Sequence, residues 1–124
     1  MFSLGTSASR RFERLITQMT DTEFINRSPE QHAQLCGCSL RHFNRLFREH
    51  FGASPRARQT ELRLIKAWQI LASTDTNARI AQVASDVGYR NVGLFNTLFK
   101  DRFGMTPSEC REQAAAAGSQ NPPS

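Results

Sequence analysis

The sequence predicts an all-α fold of about seven helices, arranged as two helix-turn-helix units in tandem, homeodomain-like, and joined by a long connector helix. Three observations predict it. The chain contains an internal repeat. Its apolar residues recur at helical spacing, with no alternating strand pattern. Helix-opening and helix-closing residues stand at the expected boundaries. The repeat is clearest between GCSLRHFNRLFREHFGASP, from Gly37, and GYRNVGLFNTLFKDRFGMTP, from Gly88. With one extra residue in the second turn, the copies align at an offset of 52: Phe43, Asn44, Leu46, Phe47, Phe51, Gly52 and Pro55 match Phe95, Asn96, Leu98, Phe99, Phe103, Gly104 and Pro107.

Each element follows from its residues. Phe12, Leu15, Ile16 and Met19 mark an opening amphipathic helix. Ser28-Pro29-Glu30-Gln31 forms a capping box with Pro at the first helical position. The helix it opens runs to about Cys36 and turns Ala33 and Cys36 inward. After Gly37 a second helix runs from Ser39 to Phe51, with Phe43, Leu46 and Phe47 facing inward. Gly52 closes it, and Ser54-Pro55 opens the connector. The connector's apolar stripe is Leu64, Ala67, Trp68 and Leu71, widened by Ile70. The second unit starts near Asn77, with Ile80, Val83, Ala84 and Val87 as its first apolar set, and its second helix runs from Asn91 to Phe103. Thr106-Pro107-Ser108-Glu109 is a further capping box that opens a last short helix. The expected organisation is residues 8–53 for the first unit, 54–73 for the connector, 74–117 for the second unit and 118–124 for a disordered tail. The first seven residues are expected to be disordered too.

Composition limits the function classes. At 124 residues, 39% hydrophobic and 22% charged, the chain reads as one globular domain. No apolar run is long enough to span a bilayer, and MFSLGTSASRRFERLI lacks the apolar core of a secretory signal. Both features point to the cytoplasm. The three cysteines, an odd number without an export signal, read as reduced thiols. Cys36, Cys38 and His42 fit no standard zinc spacing, so no metal is expected. His32, His42 and His50 read as surface residues of their helices. No nucleophile motif or glycine-rich phosphate loop is present, so neither an enzyme nor a cofactor is expected.

The net charge of +5 is concentrated. Arg41, Arg45, Arg48, Arg56, Arg58, Arg63 and Lys66 lie in one stretch opposed only by Glu49 and Glu61. Such a surface attracts a polyanion, usually nucleic acid, although a solvated basic face would read the same way. The connector's twenty residues would span roughly 30 Å as α-helix. Successive major grooves on one face of a duplex lie about 34 Å apart, so two reading helices so joined could address both.

These residues resemble the DNA-binding domain of the AraC/XylS transcription regulators, from about Phe12 to Gln113. The resemblance is carried by Ile80-Ala81-Gln82-Val83-Ala84, Val87-Gly88-Tyr89, Phe95, Phe99-Lys100 and Gly104-Met105-Thr106-Pro107. It extends through Arg63-Leu64, Ala67 and Ile70-Leu71 to Ala33, Gly37, Ser39, Leu46-Phe47, Gly52 and Ser54-Pro55. It implies that the second helix of each unit enters the major groove of duplex DNA.

Base contact is then expected from Leu40, Arg41, Asn44 and Arg45 in the first unit. The arginines would pair with guanine and Asn44 with adenine. Val92, Gly93, Asn96 and Thr97 are the corresponding set in the second unit. There Val92 would touch a thymine methyl, Asn96 a base edge, and Gly93 would allow close backbone approach. Ser39, Arg48, Arg56, Arg90, Asn91 and Lys100 are expected at phosphates, with Arg102 either there or solvated. The chain departs from the family at Thr97, where Arg is frequent, and at Arg58 and Cys110, where Tyr is frequent. The first unit is therefore expected to discriminate bases, and the second to add affinity and shape readout. The resemblance also implies RNA polymerase as a partner; either the protein stands alone, or, as expected here, the chain is the C-terminal part of a longer regulator that carries an effector or dimerisation domain. An RNA-binding or protein-interaction module is the alternative.

Overall fold

A computed structural model describes residues 7–73 and 79–117. The described residues form eight α-helices and no strand: α1 (Ser7–Gln18), α2 (Asp21–Asn26), α3 (Pro29–Cys36), α4 (Leu40–Phe51), α5 (Pro55–Leu71), α6 (Ile80–Asp86), α7 (Val92–Phe103) and α8 (Pro107–Ala117). The expected second-unit start near Asn77, the tail and the first six residues lie outside the described residues. Ser7 already belongs to α1. The chain divides into two compact units, Met1–Thr60 and Glu61–Ser124, with the boundary inside α5.

The helix beyond the expected seven is α2. The opening amphipathic run from Phe12 to Met19 is α1 alone, and α2 lies in the stretch between it and Ser28, where no helix was expected. Thr20 caps α2 by accepting from the Glu23 backbone N–H at 3.1 Å, while the Glu23 carboxylate accepts from the Thr20 N–H at 2.9 Å. This reciprocal pair satisfies two backbone donors at the new helix start. Phe24 and Ile25 of α2 are then buried.

The core of the first unit is aromatic. Phe12, Phe24, Phe43 and Phe47 pack with ring centroids 5.4–6.2 Å apart, in the edge-on, tilted and offset arrangements that aromatic quadrupoles favour. His32 sits among them rather than on the surface, a correction to the sequence expectation. It is 0% exposed, stacked on Phe24 at 5.0 Å and near Phe43 at 5.9 Å. The cause is helical spacing: Pro29, His32, Ala33 and Cys36 are the i, i+3, i+4 and i+7 positions of α3, and all four are buried. His32 Nε2 donates to the Phe24 carbonyl at 3.0 Å, which fixes the neutral tautomer. Burial, only partly offset by that bond, holds the imidazole below the ordinary histidine range. Gln59, also buried, donates to the Phe24 carbonyl at 3.0 Å and to the Arg27 carbonyl at 2.6 Å. It thereby satisfies the Arg27 carbonyl just past α2 and adds a second donor to the Phe24 carbonyl that His32 already meets.

The second unit is built on Leu64, Ala67, Trp68 and Leu71 of α5, packed against Val83, Ala84, Val87, Phe95, Phe99 and Phe103. Trp68 covers Phe99 at 6.1 Å and Phe103 at 4.8 Å. Arg102, expected at a phosphate or solvated, is engaged in an ion pair. Its guanidinium grips the Glu61 carboxylate in a bidentate pair at 2.7–3.0 Å, tying α7 to α5.

The structure extends the repeat beyond its recognised limits. Arg11 and Arg63, also 52 apart, each lie over the glycine of a turn. Arg11 Nε donates to the Cys36 carbonyl, and its guanidinium lies over Gly37. Arg63 lies over Gly88. Both glycines have positive φ, 64° and 102°, where a side chain is rarely tolerated. The copies differ at Phe51 and Phe103. Both were expected on the apolar face, yet Phe51 is 41% exposed and Phe103 only 6%. At the offset of 52, the place of Trp68 is taken by Ile16, too small to cover a ring. Phe51 is instead flanked by Arg58, 5.8 Å from the ring centre.

Candidate nucleic-acid interface

Two helices carry the residues expected to meet DNA. In the first unit, α3 and α4 are joined by Gly37-Cys38-Ser39. Ser39 caps α4, its hydroxyl accepting from the His42 N–H at 3.1 Å. Phe43 and Phe47 anchor one side of α4 in the core. That anchorage leaves Arg41, Arg45 and Arg48 exposed at i, i+4 and i+7, a single stripe along the opposite side. None of the three forms an ion pair with another described residue. Three neighbouring guanidinium groups without counterions repel one another, so a polyanion laid against them relieves that repulsion. Leu40, 37% exposed, stands beside them at the start of α4, and Asn44 is half-buried. Arg56, at the start of α5, is exposed.

In the second unit, α6 and α7 are joined by a longer turn containing Gly88, Tyr89, Arg90 and Asn91. Asn91 caps α7, accepting from the Leu94 N–H at 3.0 Å. Phe95, Phe99 and Phe103 are the buried anchors. The exposed stripe equivalent to the three arginines is Gly93, Thr97 and Lys100. Val92 is half-buried and Arg90 exposed. Asn96 is half-buried with its Oδ1 enclosed and unpartnered, so its acceptor does not face outward. The Thr97 hydroxyl donates to the Gly93 carbonyl at 3.1 Å. Leu94, not among the expected residues, is 50% exposed. Periodicity alone gives a leucine no outward role, and only the anchoring of Phe95 and Phe99 turns it out.

The cysteines pack. Burial pushes the Cys36 and Cys110 thiols up to about 11, which keeps both protonated and inert at neutral pH. Cys110 is a small buried packing residue at the position where Tyr is frequent in the family. No helix among the described residues is long and apolar enough to cross a membrane.

A family model described as "Helix-turn-helix domain" matches residues 32–113, which cover both turns and both candidate reading helices. The chain belongs to the AraC-type helix-turn-helix family. Among the curated relatives, the transcriptional activator RhaS of Escherichia fergusonii is 31% identical over 102 residues, covering 82% of this chain and 36% of RhaS. A probable AraC family transcriptional regulator from Rhodopseudomonas palustris CGA009 superposes with a TM-score of 0.71 at 28% identity, covering 88% of this chain and 98% of that one. The DNA-binding domain of AdpA, a global transcriptional factor solved in complex with a target DNA, shares the fold. Its TM-score is 0.75 at 20% identity, over 87% of this chain and 96% of that one. The chain spans about a third of the length of the curated relatives it matches. It is thus an AraC-type DNA-binding domain, from a family of transcription regulators rather than enzymes.

Proposed function

We propose that this AraC-type domain reads duplex DNA with α4 and α7, each in a major groove, and so brings a transcription regulator to its promoter. The observation that carries the reading is the unpaired stripe of Arg41, Arg45 and Arg48, displayed on a helix whose other face is fixed by Phe43 and Phe47. Arg41 and Arg45, nearer the helix start, pair with guanine, and Asn44 and Leu40 contact neighbouring bases. Arg48, Arg56 and Ser39 hold phosphates on the first side, and Arg90, Asn91 and Lys100 on the second. The two faces are unequal. Three arginines mark α4, whereas the stripe of α7 equivalent to them, Gly93, Thr97 and Lys100, carries a single cation beside Val92 and Asn96, so base discrimination falls mainly to the first unit. The setting is the cytoplasm, where a bacterial promoter is met. RNA polymerase is the expected partner, in keeping with a relative named as an activator.

Selection of bound duplexes from a random pool, at a stated salt concentration, tests this. An asymmetric site covering two adjacent grooves is the expected product. A palindrome, or no enrichment, overturns the reading.

A further inference from the structure

The apolar start of α7 has a use of its own. Four large hydrophobic side chains are exposed among the described residues: Leu35, Leu40, Phe51 and Leu94. Two of them, Leu40 and Leu94, stand in the first turn of the two candidate reading helices. Around Leu94 the polar groups are withdrawn. Thr97 commits its hydroxyl proton to the Gly93 carbonyl at 3.1 Å, which leaves its methyl as the unengaged branch. Asn96 keeps its Oδ1 enclosed. Asn91 spends its side-chain oxygen on the Leu94 N–H. Gly93 adds no side chain that would stand between Leu94 and Thr97. The outward surface is therefore Leu94 and the Thr97 methyl, with Val92 packed against the core and Arg90, Lys100 and Asp101 as the exposed charged residues of this end of the unit.

We infer that this surface reads the C5-methyl groups of thymine, with Leu94 as the principal contact and the Thr97 methyl as the second. The inference rests on the proposed DNA reading and deepens it. The major groove displays one prominent apolar group, the thymine methyl, and displays it between two phosphate rows. Leu94 and the Thr97 methyl match that group in polarity, and the exposed Arg90 and Lys100 outnumber the exposed Asp101, which leaves cations for the phosphates. An apolar protein partner would leave Arg90 and Lys100 without anions to meet. The second unit thus discriminates by apolar contact where the first hydrogen-bonds.

Exchanging thymine for uracil removes the methyl and nothing else. In the selected duplex, each thymine is replaced singly by deoxyuridine, and binding is measured for the wild type and for Leu94→Ala, Thr97→Ser, Thr97→Val and Arg45→Ala. Leu94 is half exposed, so its truncation leaves the fold intact, which a circular dichroism melt checks. At one or two thymines the wild type is expected to bind the uracil duplex about fourfold more weakly, the effect of one methyl-sized group leaving apolar contact. Leu94→Ala and Thr97→Ser should lose that preference. Thr97→Val, which keeps a methyl and drops the hydroxyl, should retain it. Arg45→Ala should bind more weakly overall yet keep the same preference. Specific binding indifferent to every methyl, or methyl effects equal in wild type and Leu94→Ala, overturns this inference alone. Absence of specific binding to any duplex overturns the parent reading and this one with it.

Discussion

His32 is the residue where chemistry and position conflict most. It is a titratable ring held neutral in an aromatic core, its Nδ1 without a partner. Because burial lowers its pKa, the unfolded chain binds a proton more readily than the folded one. Stability from this group is therefore complete above the unfolded value, near 6.5, and is lost as pH falls below it. Urea unfolding should show wild type less stable at pH 5.5 than at 7.5, and His32→Leu should show a flatter dependence. An equal slope would remove His32 as the cause. The capped carboxylates do not confuse the comparison: Glu23 and Glu109 are held below the usual range by bonds to the Thr20 and Thr106 backbones, and their contributions are lost only at lower pH. The burial of His32 was encoded in the sequence, since it completes the i, i+3, i+4, i+7 face of α3. Its polarity hid that face. Leu94 is the converse, an apolar residue whose outward display follows only once its neighbours Phe95 and Phe99 are known to be buried.

At the scale of elements, the two helix-turn-helix turns contain glycines covered by an arginine from an earlier helix, Arg11 of α1 and Arg63 of α5. At Gly37 a Cβ would stand 2.9 Å from Arg11 Nη2, on a backbone with φ of 64°. At Gly52, with φ of 78°, a Cβ would meet nothing within 4 Å. Alanine at either position pays the left-handed conformation, roughly 1–2 kcal/mol. Gly37→Ala must in addition displace Arg11 from the Cys36 carbonyl. Chemical denaturation should rank Gly37→Ala as the more destabilising, and the reverse order would discount the Arg11 contact. Thr20→Ala should cost about 1 kcal/mol by removing the cap of α2. Most elements were legible because capping boxes, glycine stops and apolar spacing agree in them. The Thr20 and Glu23 capping box was equally legible, but it opens a helix of only six residues, too short to show an apolar period of its own. Gln59 and Arg11 act over 32 and 25 residues of sequence, and no local pattern announces such contacts.

Across the whole molecule, the chain folds as two units with separate cores, and their boundary falls within α5, between Thr60 and Glu61. No break in composition marks the place. The helical period runs through it unchanged, while Gln59 belongs to the first core and Leu64 to the second. The two faces differ in chemistry, and their roles should separate accordingly. The four cations proposed at phosphates, Arg48, Arg56, Arg90 and Lys100, should give log affinity against log salt a slope of about −3.6, with each removal cutting it by about 0.9. A flat dependence would place the basic stripe away from the duplex. The central claim, that the arginine stripe of α4 carries base discrimination, is tested most directly by titrating the selected duplex and a scrambled one with Arg45→Ala and Asn96→Ala. The account predicts that Arg45→Ala loses about tenfold or more of the preference for the selected site, while Asn96→Ala loses much less. An equal loss, or a larger one for Asn96→Ala, would contradict it.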